Sequence, residues 1–165
     1  MTGHDKENVN VSVSTLITKD NQVLLEKRQH AHGAGTWGPP TGHPDFGEGP
    51  EQTAIRETKE ETGITISDVK FRAVTNDVFE AEHEHHVTIW MEAMHVSGEP
   101  RLAAPKEESE VGWFAWDTLP EPLFLPFAHL IEGKTYPSSN AKDTIGAAVE
   151  IPDIPVAETV EPDTK

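Results

Sequence analysis

One stretch, Gly42 to Ile64, constrains this chain more than any other. It reads Gly42, five residues, Glu48, seven residues, and then Arg56-Glu57-Thr58-Lys59-Glu60-Glu61-Thr62-Gly63-Ile64. Its boundaries predict a helix. Gly49 suits the N-cap, Pro50 the first helical position, and Glu51 the first turn, where negative charge complements the dipole. Gly63 suits the C-cap. Inside the helix Glu57 stands three residues from Glu60 and four from Glu61, which sets the three carboxylates on one side. Like charges at those spacings destabilise a helix by roughly a few tenths of a kcal/mol per pair. A hard divalent cation takes carboxylate oxygens and reverses that cost. The other face, with Ala54, Ile55, Thr58 and Thr62, is small enough for close packing on a sheet.

The rest of the composition narrows the setting. The chain has 165 residues, enough for one domain with a core and too few to expect two. A hydrophobic content of 35% and a mean hydropathy of -0.52 predict a soluble protein with polar tails. No stretch approaches the roughly 18 apolar residues of a membrane helix. The first residues, Met1 to Glu7, contain no apolar run, so no secretory signal is expected and a cytosolic location is the default expectation. Without cysteine there is no disulfide, thiolate metal site or cysteine nucleophile. The formal charge of -16 argues against duplex nucleic acid as partner. It leaves a small anionic ligand open, because a bound divalent ion inverts the local field and Lys27, Arg28 and Arg56 lie near the acidic window.

Residues Val9, Val11 and Val13 through Leu16-Ile17 alternate as a strand, Asp20-Asn21 marks a turn, and Gln22–Arg28 reads as the hairpin partner. From Gln29 to Gly49 the chain is rich in Gly, His and Pro, which predicts a long ordered, functional loop around a short strand at Thr36–Pro39. Further strands are expected at Val69–Glu80, His85–His95 and Val111–Trp116. Asp117-Thr118-Leu119-Pro120 is expected to cap a second helix near Leu123–Glu132. A helix between strands of mixed order implies an α/β sandwich. The pattern divides the chain into a flexible start (1–8), one domain (9–133) and an acidic, Pro-containing tail (134–165). The tail lacks periodicity and reads as disordered, with a strand at Ala147–Ile151 not favoured.

Helix charge alone favours a solvated face, with Arg56 and Lys59 paired to the glutamates. With Gly42, Glu48 and Gly63 also in register, the cation-binding reading prevails. A carboxylate patch on a rigid helix holds Mg2+ or Mn2+, and nearby basic groups hold the phosphate oxygens the metal leaves free. That combination is what phosphoryl chemistry requires.

The window resembles the Nudix box, G-x5-E-x7-R-E-U-x-E-E-x-G-U with U a bulky aliphatic, and departs from it softly at Thr58. Gln22–Arg28, Gly33-Ala34-Gly35-Thr36-Trp37, Pro40-Thr41-Gly42-His43 and Phe46-Gly47-Glu48 are similar to MutT-like nucleotide diphosphatases, in particular the animal and plant cytosolic members. Val74–Phe79, His86–Ile89 and Trp113-Phe114-Ala115-Trp116 through Phe124 look like the same subgroup, so the resemblance covers about Val9 to Gly133. Relatives commonly carry Pro-Gly-Gly where this chain has Pro40-Thr41-Gly42. If the first of those glycines takes positive φ, Thr41 is strained there.

The resemblance implies an α/β/α sandwich around a mixed sheet, a homodimer, and a metal-dependent enzyme cleaving a nucleoside triphosphate to monophosphate and pyrophosphate. Its substrates are expected among purine or pyrimidine (d)NTPs, oxidised purines included. A hydrolase of isoprenyl diphosphates is the alternative on the same scaffold, and a non-catalytic nucleotide binder is a third reading. Glu57 and Glu61 are implied as principal ligands of Mg2+ (or Mn2+), Glu60 as a further or water-mediated ligand, and the carbonyl near Thr41 or Gly42 as completing the shell. Arg56 is implied to hold Glu48 or the loop. Gly42, Glu48 and Gly63 are structural positions of the motif. The general base is left between Glu57 and an acid of Glu107-Glu108-Ser109-Glu110.

Substrate contacts are expected from Lys27, Arg28 and His43, with Trp37, Phe124 and Leu125 as candidates for lining a base pocket or for core. His83, His85 and His86 raise a transition-metal reading. Alternation puts His83 and His85 on one face without a third ligand, which favours a polar strand edge. Asp45-Phe46-Gly47-Glu48 lacks the spacing of a calcium-binding EF-hand loop.

Overall fold

The computed structural model describes residues 8–29 and 32–136. The expected strand at Ala147–Ile151 and most of the expected tail lie outside these residues. In chain order the elements are β1 (Val9–Lys19), β2 (Gln22–Arg28), β3 (Trp37–Gly38), β4 (Thr41–Gly42), α1 (Pro50–Thr62), β5 (Thr65–Phe79), β6 (Glu84–Ser97), β7 (Glu108–Ala115) and α2 (Leu125–Ile131). Asp20 and Asn21 both take positive φ, so a two-residue turn of the kind that matches strand twist joins β1 to β2.

The seven strands form one mixed sheet in the order β3-β2-β1-β6-β5, with β4 on β1 and β7 on β2. Val9–Thr18 of β1 run parallel to His85–Met94 of β6, and the other pairings are antiparallel. Alternation along β1 and β6 sorts the core into two layers. Val13 and Met91 pack with Ala54 of α1 on one face. Leu16 and Trp90, on the other, pack with Phe127 and Leu130 of α2. The fold is therefore an α/β sandwich, as the element pattern predicts. Buried Asp77 of β5 pins α2 by accepting a hydrogen bond from His129 Nδ1 at 2.8 Å, while Thr75 and Thr88 donate to its other oxygen at 2.8 and 2.6 Å.

Four expectations need correction. β5 begins at Thr65, directly after the helix cap, because Asp68 takes positive φ and the register breaks between Ser67 and Lys70, hiding the alternation. The second helix is capped at Phe124, while Asp117 and Thr118 belong to a turn closed by Thr118 N–H on the Ala115 carbonyl. Lys134–Tyr136, assigned to the tail, continue the domain. Tyr136 exchanges two 2.8 Å backbone hydrogen bonds with Val74. Ile55 lies at the margin of the buried stripe of α1 and is 49% exposed.

No helix among the described residues is long and apolar enough to cross a membrane.

Candidate functional site

Helix α1 starts and stops where its punctuation predicts. Gly49 is the N-cap, Pro50 follows, and the Gly49 N–H donates to Gln52 Oε1 at 2.9 Å. Gly63 closes the helix at φ 76°, donating to the Lys59 carbonyl, and Lys59 Nζ donates to the Gly63 carbonyl.

The three helix carboxylates fan around the axis instead of sharing one solvent face. Glu61 is only 3% exposed, Glu57 is half-buried, and Glu60 is exposed. The reason is the period of 100° per residue, which carries Glu61 into the stripe formed by Ala54 and Thr58. There it meets two acids from the sheet. Glu26 of β2 and Glu108 of β7 are also buried, and one carboxylate oxygen from each of the three lies within 4.8 Å of the others. The β2–β7 register shifts at Lys27/Arg28, beside Glu108, a bulge of the sort that re-aims a side chain.

This trio is electrostatically unfinished. Burial, then repulsion from Glu108, pushes Glu26 up to about 8. Burial pushes Glu108 up to about 7, and burial with Glu26 beside it raises Glu61 well above the carboxylate range. Glu61 Oε2 accepts the Thr41 N–H at 3.2 Å. Glu26 Oε1 and Glu108 Oε2 are buried with no hydrogen-bond partner among the described residues. Buried acceptors left open in this way, on carboxyls that burial pushes toward the protonated form, leave room for a cation that would displace the protons. The donors are all oxygen, the set that hard divalent ions prefer, so the residues present fit such an ion.

Along the same helix a single arginine answers the acids around it. Arg56 donates from Nε and Nη2 to the two oxygens of Glu48, both at 2.8 Å. It also donates to Glu57 Oε1 at 2.6 Å, Glu60 Oε2 at 3.3 Å and the His43 carbonyl at 3.0 Å. Glu48 accepts further bonds from Thr53 Oγ1 and the Asp45 N–H. The Arg56 fork holds the Glu48 carboxyl down to about 2, and Glu48 in turn raises Arg56. Glu57, by contrast, is raised by burial despite Arg56. Gly42 is required by close approach, since a Cβ there would collide with the Glu57 carboxylate. Thr41 sits in β4 opposite Ser14 and is not among the residues with positive φ, so the expected strain is absent.

The expected substrate residues are scattered. Lys27 Nζ pairs with Glu110 at 3.1 Å and lies 5.8 Å over the Trp37 ring. Arg28 lies 4.3 Å over the Phe124 ring and donates to the His32 carbonyl. Trp37 and Phe124 are 8% and 1% exposed and belong to the core, so neither lines an open base pocket. Their backbones lock together through Phe124 N–H on the Trp37 carbonyl at 2.8 Å, and Phe124 closes over Gly33 and Gly38. Leu125 packs against the same core. His43 Nδ1 contacts the Val11 carbonyl at 2.8 Å. Of the acidic run, Glu108 is buried and Glu107 and Glu110 are exposed.

Glu26 was not legible as a site residue. Its one signal is an acid continuing the fully buried run Val23-Leu24-Leu25, two residues after the core residue Leu24. A cavity of about 320 Å³ lined by Leu16, Arg72, Met94, Trp116 and Leu130 lies on the α2 face and touches none of these carboxylates.

Comparison with known proteins agrees with this architecture. Residues 7–133 match the family model for the NUDIX domain. A putative 8-oxo-dGTP diphosphatase 3 of Mycobacterium tuberculosis is 38% identical over 113 residues, covering 64% of this chain and 50% of that protein. The chain thus spans about half the length of that curated relative. An ADP-ribose pyrophosphatase of Methanocaldococcus jannaschii is 31% identical over 114 residues, covering 69% and 66%. The crystal structure of a MutT NUDIX hydrolase from Burkholderia pseudomallei superposes with a TM-score of 0.68 at 38% identity, covering 72% of this chain and 92% of that one. Motif, fold and match coincide, and the chain belongs to the NUDIX family.

Proposed function

We propose that this protein is a divalent-metal-dependent pyrophosphohydrolase that cleaves a nucleoside triphosphate to the monophosphate and pyrophosphate. The observation that carries the reading is the buried trio Glu26, Glu61 and Glu108, two of whose oxygens have no partner. Such repulsion is relieved by a bound proton or a bound cation, and the all-oxygen donor set suits a hard divalent ion. The relatives' names, an 8-oxo-dGTP diphosphatase and an ADP-ribose pyrophosphatase, support a nucleotide whose phosphates are joined by an anhydride.

Glu57 and Glu61 are the principal ligands in this proposal, with Glu26, Glu108 and the Thr41 carbonyl beside them and Glu60 at the exposed margin. Held by these carboxylates, Mg2+ (with Mn2+ as substitute) would supply charge neutralisation to the polyphosphate. Arg56 holds the loop at Glu48 and His43 and aligns Glu57. Lys27, Arg28 and His43 are the basic groups assigned to the phosphate oxygens. The water that attacks phosphorus in line gives its proton to Glu57 or Glu108. Glu108 is the buried member of the acidic run and lies beside Glu26 and Glu61. A cytosolic homodimer is part of the proposal.

The test is a panel of canonical and oxidised (d)NTPs, ADP-ribose and geranyl diphosphate with Mg2+ or Mn2+, with pyrophosphate and phosphate measured separately. The proposal expects pyrophosphate from a (d)NTP. Phosphate alone from every triphosphate, or turnover of geranyl diphosphate only, sinks it.

A further inference from the structure

The histidine-rich stretch before β6 resolves into an arrangement that alternation along a strand does not show. His85 turns to Asn76, its Nε2 2.7 Å from Oδ1, on the outer side. His86 is 2% exposed and points the other way, into the face of the sheet that carries Leu16, Trp90 and α2. On that face it meets Glu84 and, from the loop after β2, His32.

His32 Nδ1 lies 3.2 Å and His86 Nε2 2.9 Å from the same oxygen, Glu84 Oε2. Both ring nitrogens therefore lie within 3.2 Å of one carboxylate oxygen, and the three atoms lie within 4.8 Å of one another. In a tetrahedral shell with bonds of about 2.0 Å, neighbouring ligand atoms stand about 3.3 Å apart. The two nitrogen-to-oxygen distances, 3.2 and 2.9 Å, are already close to that edge. His86 is oriented from behind by Ser12 Oγ, 3.0 Å from its Nδ1, the outer-shell contact that metal-binding imidazoles have as a rule. His32 is held by Phe79, an edge-on ring at 4.6 Å, and by Phe124 at 5.8 Å, so its ring is fixed by packing.

We propose that His32, Glu84 and His86 form a second metal site, selective for a borderline ion of the Zn2+ class and separate from the carboxylate trio. Two imidazoles and one carboxylate suit Zn2+ or Co2+ and are poor competitors for Mg2+. Three side chains leave the fourth tetrahedral position to water or to an oxygen or nitrogen of a ligand. The two sites lie on opposite faces of the sheet, because Glu26 follows Leu24 on the α1 side whereas His86 shares the side of Trp90.

The full chain, loaded with Zn2+ in a large excess of Mg2+ and then freed of unbound zinc, is assayed for retained zinc, with Co2+ substitution read by visible absorption. One zinc per chain and an intense tetrahedral Co2+ band are expected. E84Q, at a partly exposed position, and H32N should each lower zinc affinity by at least about tenfold with an unchanged melting curve, since loss of a ligand costs no less than loss of an outer-shell partner. E61Q should retain the zinc. No retained zinc, zinc retained equally by E84Q and H32N, or zinc lost in E61Q overturns the proposal.

Discussion

Glu48 and Glu61 belong to one motif thirteen positions apart, and they stand in opposite electrostatic states. Glu48 receives both arms of Arg56, and that fork pulls its carboxyl to about 2. Glu61 is buried against Glu26 and Glu108 with no basic group bonded to it among the described residues, and its carboxyl is raised. One half of the box is thus a finished clamp and the other half an open socket. Charge neutralised within the chain contributes to stability, whereas charge left unneutralised marks the place where a ligand must contribute.

The largest expected effect comes from closing the socket. Glu61→Gln should lower turnover by several orders of magnitude. It should also raise the melting temperature of the EDTA-treated protein at pH 8, because it removes one of three crowded charges. Unchanged turnover would remove Glu61 from the metal shell. Next in size is the clamp: Arg56→Lys keeps the charge and loses the fork. It should lower Tm by a similar amount with and without Mg2+, and lower kcat by less than Glu61→Gln does. A Tm loss seen only with Mg2+ present would merge the two halves.

Linkage to pH separates the halves further. Glu26 and Glu108 are raised to about 8 and about 7, so the metal-free folded state binds protons more tightly than the unfolded chain. Their contribution to stability is full below about 4.5 and is lost as pH rises through 7 to 8. Glu48 has the opposite sign, with stability present above 4.5 and lost as pH falls toward 2. In EDTA, Tm should fall between pH 6 and pH 8.5, and the rise in Tm produced by Mg2+ should grow over the same range. A metal-free Tm that climbs across this window would contradict the burial of the trio.

The smallest effect concerns Thr58, where the motif calls for an aliphatic residue. Its hydroxyl is buried without a partner among the described residues. Thr58→Val should stabilise the fold by about 1 kcal/mol and leave kcat unchanged, as read by denaturant unfolding and initial rates. A loss of stability would show that the hydroxyl is satisfied in solution.

Local signals carried much of this molecule. The Gly49-Pro50 start, the Gly63 stop and the Asp20-Asn21 turn depend on residues adjacent in sequence, and they stand where they were expected. Two imidazoles and one carboxylate from separate segments were beyond such reading, because His32 reaches Glu84 only after the sheet has formed. The same holds for Glu26, which looks like a strand residue until β7 brings Glu108 beside it. Trp37 and Phe124, open in the sequence between pocket and core, were ambiguous for a related reason. An aromatic next to glycines suits a ligand pocket or a packed corner, and the tight fit of Phe124 on Gly33 and Gly38 makes it the latter.

The parallel pairing of β1 with β6 has a consequence for how the chain acquires its chemistry. Val9 must wait for His85, and Glu26 for Glu108, before the sheet is complete. Contacts so distant in sequence pay their loop-closure entropy first and form late. During synthesis the helix and its Arg56 clamp emerge earlier than the strand that completes the socket. On the metal-binding proposal, a chain in which β7 has not yet paired with β2 lacks Glu108 beside Glu26 and so is expected to hold the ion less well than the complete sheet.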